Sequence, residues 1–251
     1  MSVNGKKISD EPAEQDIENI KKLINSNQSS KAEIITRDLL IKYPKSTKLL
    51  NVLGVSLIVQ NKLAEAEKNY LELIDIKPSY ADALNNLANI YMKLNKIDDA
   101  IKYLKIAISK KPDLNQAYFN LARIYTSLGN SFYKKKNIEK SIINYKKAIE
   151  YKSDYFEAYN NLGVSLAALE KDDDAIISFE SAIKLNSNYF EAYNNLGNVL
   201  IKKEKIVNAI KSYQKAINIK ADYAEAYNNL GIALDKSGKF DEAIKNYKHA
   251  I

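Results

Sequence analysis

Apolar residues in this chain recur three and four positions apart, in short bursts separated by polar stretches, and the bursts come in pairs. The clearest pair runs from Phe190 to Tyr223 and reads FEAYNNLGNVLIKKEKIVNAIKSYQKAINIKADY. In its first half Tyr193, Leu196 and Leu200 fall at i, i+3 and i+7, with Gly197 beside them, which is the spacing of one helical face. In its second half Ala209, Ile210, Tyr213, Ala216 and Ile217 do the same. The polar stretch from Lys202 to Asn208 has too little apolar content to continue either stripe, so the pattern predicts two antiparallel helices joined by a tight turn. The same run of residues starts at Phe156 and again at Ala224, a spacing of 34 each time (190 − 156 and 224 − 190). A fixed period in that range implies stacked supersecondary units.

Residue size within the repeat points to how the helices meet. Gly197, Ala209 and Ala216 mark places of close helix approach, while Tyr193, Leu196, Leu200 and Tyr213 fill the space between. This order of aromatic, Leu-Gly, aromatic, Ala, aromatic and Ala resembles the tetratricopeptide repeat, with Tyr in place of the usual Trp. The expected fold is therefore all-α: a right-handed superhelical solenoid of antiparallel helix pairs, about seven repeats long. Each pair buries its apolar face only against its neighbours, so the chain is one array and not a set of globular domains.

The expected organisation is a flexible lead-in over residues 1–12 and an array over 13–251, with repeats starting at 13, 47, 81, 115, 156, 190 and 224. The first repeat keeps its apolar faces but lacks the aromatic and glycine positions, as a terminal repeat can. The second and third are regular, and their helix pairs turn near Asn61 and Asn95, where Asn, like Gly238 in the last repeat, tolerates the left-handed conformation that ends a helix. The fourth is seven residues longer (156 − 115 = 41). Two registers fit its first helix: Tyr118, Leu121, Ala122 and Tyr125, or Tyr125, Leu128, Gly129 and Phe132. Seven residues is almost two turns, so the two faces differ by roughly 20 degrees. Either one extended helix runs from Asn115 to about Lys135, overhanging its neighbours by roughly 10 Å, or the helix breaks at Gly129 and Asn130. The last repeat is incomplete, and the stripe of Ala243, Tyr247 and Ala250 has no onward neighbour. The expectation is an excerpt of a longer polypeptide or self-association through the open C-terminal end.

Composition removes several classes of chemistry. The 251 residues contain no cysteine, so disulfides, thiolate metal sites and a cysteine nucleophile are excluded together. The lone histidine, His249, has no second His or Cys with which to hold a metal, and no cofactor is expected. Lysine and arginine exceed aspartate and glutamate by 38 − 31 = 7. The excess is nearly all lysine, with arginine only at Arg37 and Arg123, so bidentate readout of phosphate or guanine has little to work with and a nucleic-acid partner is not expected. No signal-like stretch opens the chain and no run of 18 apolar residues occurs. Membrane insertion is therefore not expected, and a cytoplasmic location is the default. Asp98 and Asp99, and Asp172 to Asp174, sit where second helices begin and offset the helix dipole. Gly54, Gly163, Gly197 and Gly231 stand alone in helical stripes and form no phosphate cradle. Tyr159, Tyr193 and Tyr227 fall in the packing register and are expected in the core.

One feature exceeds what folding needs. Asn-Asn recurs at 85–86, 160–161, 194–195 and 228–229, always in a first helix, although asparagine in a helix costs up to about 0.7 kcal/mol relative to alanine. The second Asn of each pair lies off the packing stripe and is expected on the inner surface. Asn86, Asn161, Asn195 and Asn229 form a row there, and Asn120 continues it in the earlier register of the long repeat. An amide offers one acceptor and two donors and so complements a peptide bond. The row is similar to the one in O-linked N-acetylglucosamine transferases, including the bacterial proteins that resemble them. That resemblance implies capture of protein substrates along the inside of the superhelix, and it fails at Val52. Repeat duplication in an Asn-rich composition is the alternative origin of the row. Asp82, Glu157, Glu191 and Glu225 open the first helices, as dipole partners or as an acidic rim that selects basic peptides.

The expected function is a non-catalytic protein–protein interaction scaffold that binds a peptide or protein segment in its concave groove through Asn86, Asn120, Asn161, Asn195 and Asn229. Two alternatives stand beside it. One is the substrate-recognition portion of a larger glycosyltransferase or other transferase whose catalytic part lies beyond residue 251; the other is a structural module that self-assembles.

Overall fold

The computed structural model describes residues 11–251, and among them the chain forms fourteen α-helices and no strand. They pair in order: α1 (Glu14–Asn25) with α2 (Ser29–Lys42), α3 (Thr47–Val59) with α4 (Leu63–Ile76), and α5 (Ala81–Lys93) with α6 (Ile97–Lys110). Next come α7 (Asn115–Lys134) with α8 (Ile138–Tyr151), α9 (Phe156–Ala168) with α10 (Asp172–Leu185), α11 (Phe190–Lys202) with α12 (Ile206–Ile219), and α13 (Ala224–Lys236) with α14 (Phe240–His249). The fold is an all-α solenoid of helix pairs. The chain divides into two compact units, one up to Asn120 and one from Leu121.

Within each unit a helix touches only its near neighbours in sequence. In the first, α1, α3 and α5 also touch one another in succession; in the second, α9, α11 and α13 do so. The second helices α2 and α4, or α10, α12 and α14, make no such contacts. In each unit the first helices thus form the more closely spaced layer, which is the concave side of a stack.

Most of the expected lead-in, residues 1–10, lies outside the described residues. Glu11 belongs to the fold: its carboxylate accepts from the Thr47 backbone N–H at 3.1 Å and from the Ser46 hydroxyl at the start of α3. A second carboxylate, Glu33 on α2, joins the first two repeats. It is buried, which by itself raises a carboxyl pKa, but donors from Lys62 (2.8 Å), Gln60 (2.8 Å) and Arg37 (2.9 Å) outweigh that and hold it down to about 2.

The glycines of the repeat are explained by the aromatic residue sixteen positions on. A Cβ built on Gly197 would lie 2.5 Å from the ring of Tyr213, and the same collision recurs between Gly54 and Tyr70, Gly163 and Phe179, and Gly231 and Tyr247. In the third repeat the same two positions hold Ala88 and Leu104, both fully buried, so a larger first residue is matched by a smaller second one. The first repeat inverts the pair, with Ile20 and Thr36 at 1% and 0% exposure. Its missing glycine and aromatic are one exchange of volume.

The long repeat resolves in favour of a continuous helix, because α7 runs unbroken for 20 residues through Gly129 and Asn130. Both of its registers are used. Asn120, from the earlier register, donates to Asn85 and Asn89 of α5 at 2.9 Å each, and Gly129, from the later one, lies under the ring of Tyr145 on α8. At the far end, Ala243 is buried and Tyr247 half-buried, so the stripe expected to be open is largely covered by α13. The apolar residues left exposed on α14 are Phe240 and Ile244.

Candidate functional site

The asparagine pairs turn out to be bonded to each other across repeats. Asn195 Nδ2 donates to Asn160 Oδ1 at 3.0 Å, and one repeat later Asn229 Nδ2 donates to Asn194 Oδ1 at 3.1 Å. Asn120 makes the corresponding bond to Asn85. The first Asn of a pair is buried beneath the next repeat, as Asn85, Asn160 and Asn194 are, and the second reaches back to it. This links first helix to first helix and gives the asparagines a folding role that periodicity alone does not reveal.

That role changes what each predicted site residue can offer. Asn120 is 1% exposed, both of its N–H groups are engaged, and its carbonyl oxygen accepts from Gln116 at 3.2 Å. Its amide is saturated and buried, so the expectation that it lines the inner surface is corrected. Asn86, Asn161, Asn195 and Asn229 are half-buried. Asn86 donates to the Tyr70 hydroxyl at 3.1 Å, Asn161 to Asn130 at 3.2 Å, and Asn229 also to Asn198 at 3.1 Å. The oxygens of Asn86, Asn195 and Asn229 have no partner among the described residues. Asn86, Asn161 and Asn195 also keep one N–H each, so the row offers both acceptors and donors to the backbone of an extended chain.

Carboxylates stand at the N-terminal turns of the same helices. Glu225 Oε1 accepts from Asn194 at 2.9 Å, while Glu157 and Glu191, at the matching place in α9 and α11, each keep one buried oxygen without a partner. The acidic residues that open the second helices pair more simply: Asp172 with Lys202 at 3.2 Å and Asp173 with Lys203 at 2.6 Å. Such exposed pairs contribute little stability.

The tyrosines expected in the core, Tyr159, Tyr193 and Tyr227, are only half-buried; the buried aromatic residues are Tyr70, Tyr91, Tyr125, Tyr145, Phe179 and Tyr213. A phenol keeps its hydroxyl near water unless a partner is built for it, and Tyr145 and Tyr213 have Asn130 (2.7 Å) and Asn198 (2.8 Å). His249 is exposed and stacks on Tyr227 with ring centroids 5.3 Å apart. No group of three or more His, Cys, Asp or Glu side chains among the described residues is arranged to hold a metal, and no helix there is long and apolar enough to cross a membrane.

The sequence did not reveal a cavity of about 440 Å³ in the first unit, floored by Leu50, Leu53 and Leu57 and rimmed by residues of α2 and α4. The available signal was Leu50, which, like Leu84 in the third repeat, stands where the fourth to seventh repeats carry tyrosine. Polar groups along it are already paired: the buried Asn69 donates through Nδ2 to the Leu50 carbonyl at 2.7 Å, and at the exposed rim Arg37 pairs with Glu65 at 2.7 Å.

The family model described as TPR repeat matches residues 56–95, 129–170, 165–204 and 197–238, and that of the tetratricopeptide repeat matches 81–114. The chain belongs to the tetratricopeptide repeat family. Neither matched model describes a catalytic domain, and tetratricopeptide repeat proteins are in general non-catalytic scaffolds that mediate protein–protein or peptide binding. No curated protein matches the sequence. Among solved structures, the C-terminal part of a TPR repeat-containing protein from Cytophaga hutchinsonii is 18% identical with a TM-score of 0.67, over 92% of this chain and 93% of that one. A tetratricopeptide repeat protein from Parabacteroides merdae is 18% identical with a TM-score of 0.55, over 94% and 91%. YrrB, described as a TPR protein with an unusual peptide-binding site, is 19% identical with a TM-score of 0.54, over 72% and 90%. These likenesses establish a shared fold.

Proposed function

We propose that the layer of first helices binds an extended peptide or protein segment and performs no chemistry on it. The observation that carries this is the half-buried amide row of α9, α11 and α13, in which each amide donates into the fold at least once and whose oxygens at Asn195 and Asn229 are left for a ligand. Carboxylates at the helix starts favour segments with cationic side chains. YrrB, which shares the fold, is described as having a peptide-binding site, and this supports the reading. Similarity of the row to that of O-linked N-acetylglucosamine transferases is compatible with a substrate-selecting array in a larger transferase, which would use the same face.

The test is a titration of the isotopically labelled chain with a pool of randomised nine-residue peptides, followed by NMR. Shifts are expected to concentrate on α9, α11 and α13, including the side-chain amides of Asn161, Asn195 and Asn229. Shifts confined to the second helices α10, α12 and α14 would exclude this face.

A further inference from the structure

The cavity of the first unit lies where other repeats place tyrosine. Its lining includes Leu50 and Leu57 of α3 and Asn69 of α4. At the position of Leu50 the fourth to seventh repeats carry Tyr118, Tyr159, Tyr193 and Tyr227. At the positions of Leu57 and Asn69 the third repeat carries Tyr91 and Tyr103, whose ring centroids lie 5.5 Å apart. The second repeat has no aromatic residue at any of the three positions, and a space of about 440 Å³ is left between α2 and α4. We propose that this space receives a tryptophan or tyrosine side chain of a partner protein, an aromatic ring with one hydrogen-bond donor.

Floor, wall and acceptor each narrow the ligand. Leu50, Leu53 and Leu57 are at most 4% exposed, so the floor is apolar and nearly closed to water. The volume falls within the range of pockets that enclose small molecules, about 300–1,000 Å³, and admits one large ring. Arg37 lines one wall, its guanidinium held by Glu33 at 2.9 Å and Glu65 at 2.7 Å. A guanidinium fixed in this way stacks on an aromatic face and gains nothing comparable from an aliphatic chain. Asn69 sets the polar requirement. It is 6% exposed, its Nδ2 donates to the Leu50 carbonyl at 2.7 Å, and its Oδ1 has no partner among the described residues. A buried acceptor without a bond is costly. An indole N–H or a phenol O–H supplies that bond, and phenylalanine or leucine does not. At the mouth Lys68 and Glu72 are exposed and in no ion pair among the described residues, so they can swing aside as a ring enters. In the sister repeats the ring at this place is a side chain, which points to arrival on a polypeptide. The rim belongs to second helices, so the site does not depend on the first-helix layer.

The experiment follows the methyl resonances of Leu50, Leu53 and Leu57 in the isotopically labelled full chain. Indole should shift them saturably, and 1-methylindole, which lacks the donor, should bind about fivefold more weakly, the range of one neutral hydrogen bond. Asn69→Leu should erase that difference while 1-methylindole still binds. Leu50→Tyr, which copies the later repeats, should abolish binding of both compounds and leave the urea midpoint unchanged or higher. Four pools of nine-residue peptides, random except for a fixed central Trp, Tyr, Phe or Ala, should shift the same methyls most with Trp and Tyr, less with Phe and not with Ala. No methyl shift with indole, equal affinity for indole and 1-methylindole, or binding that survives Leu50→Tyr overturns the proposal. Indole binding with no response to the Trp and Tyr pools would mark a site for a free aromatic compound and overturn the protein partner. Because these methyls sit on α3, shifts of the side-chain amides on α9, α11 and α13 report on the first-helix face separately.

Discussion

At Gly197 the absence of a side chain is what lets Tyr213 sit 2% exposed between two helices. Volume at the two positions, sixteen residues apart, is conserved as a sum: glycine with an aromatic in most repeats, Ala88 with Leu104, Ile20 with Thr36. Gly197→Ala therefore sets two effects against each other, a helix-propensity gain of about 1 kcal/mol and an overpacking cost of roughly 1–3 kcal/mol. The expected net is a loss on the order of 1 kcal/mol, seen as a lower urea midpoint. Made in a Tyr213→Leu background, which copies the third repeat, the same substitution should raise the midpoint, since the ring it strikes is gone. A loss of equal size in both backgrounds would show that the ring is not what excludes a side chain at Gly197. That a close approach occurs at the glycines was legible in the sequence. Which side chain fills the space, and that the first repeat had exchanged the pair and not lost it, needed the packed helices.

The hairpin turn has one geometry throughout. Its left-handed residue recurs at Asn27, Asn61 and Asn95, 34 positions apart, then after the longer fourth repeat at Lys136, and again every 34 positions at Glu170, Glu204 and Gly238, with φ between 57° and 79°. Around Glu204 the Lys205 N–H bonds the Leu200 carbonyl at 2.9 Å and the Glu204 N–H bonds that of Ile201 at 3.0 Å, the paired closure of a helix C-terminus. Asparagine and glycine adopt this conformation at little cost, whereas glutamate and lysine are strained by it. Glu204→Gly should therefore stabilise the array by about 0.5–1 kcal/mol, read from thermal or urea unfolding, while Gly238→Glu should destabilise it by a similar amount. The turn at Asn61 and Asn95 was readable from residue type. The same turn at Glu204 was not, because there the rest of the hairpin overrides the local preference. Likewise α7 had two sequence registers that periodicity could not separate, and the long helix satisfies both, one toward α5 and one toward α8.

Over the whole molecule, stability passes from repeat to repeat, and identical residues acquire different energies according to whether another repeat packs over them. Asn194 and Asn228 occupy the same repeat position. Asn194 is fully buried, accepting from Asn229 at 3.1 Å and donating to Glu225 at 2.9 Å, whereas Asn228 is exposed. Asn194→Ala should cost about 1–3 kcal/mol by leaving the Glu225 oxygen and one Asn229 donor without their partner. Asn228→Ala should be neutral or stabilising by up to about 0.7 kcal/mol, the helix-propensity difference. Equal midpoints for the two variants would count against the interrepeat ladder. By the same logic, alanine at Asn195 or Asn229 is expected to lower the melting temperature as well as peptide capture, so the row cannot be probed as a pure ligand contact. The sequence alone determined the helix pairs, their period and the family, because those arise from local periodicity and residue size repeated many times over. Only the tertiary structure decided the direction each amide faces, the burial of Asn120 and the cavity over Leu50, Leu53 and Leu57. Those depend on which groups the neighbouring repeat brings within bonding distance, and a one-dimensional pattern carries no record of that.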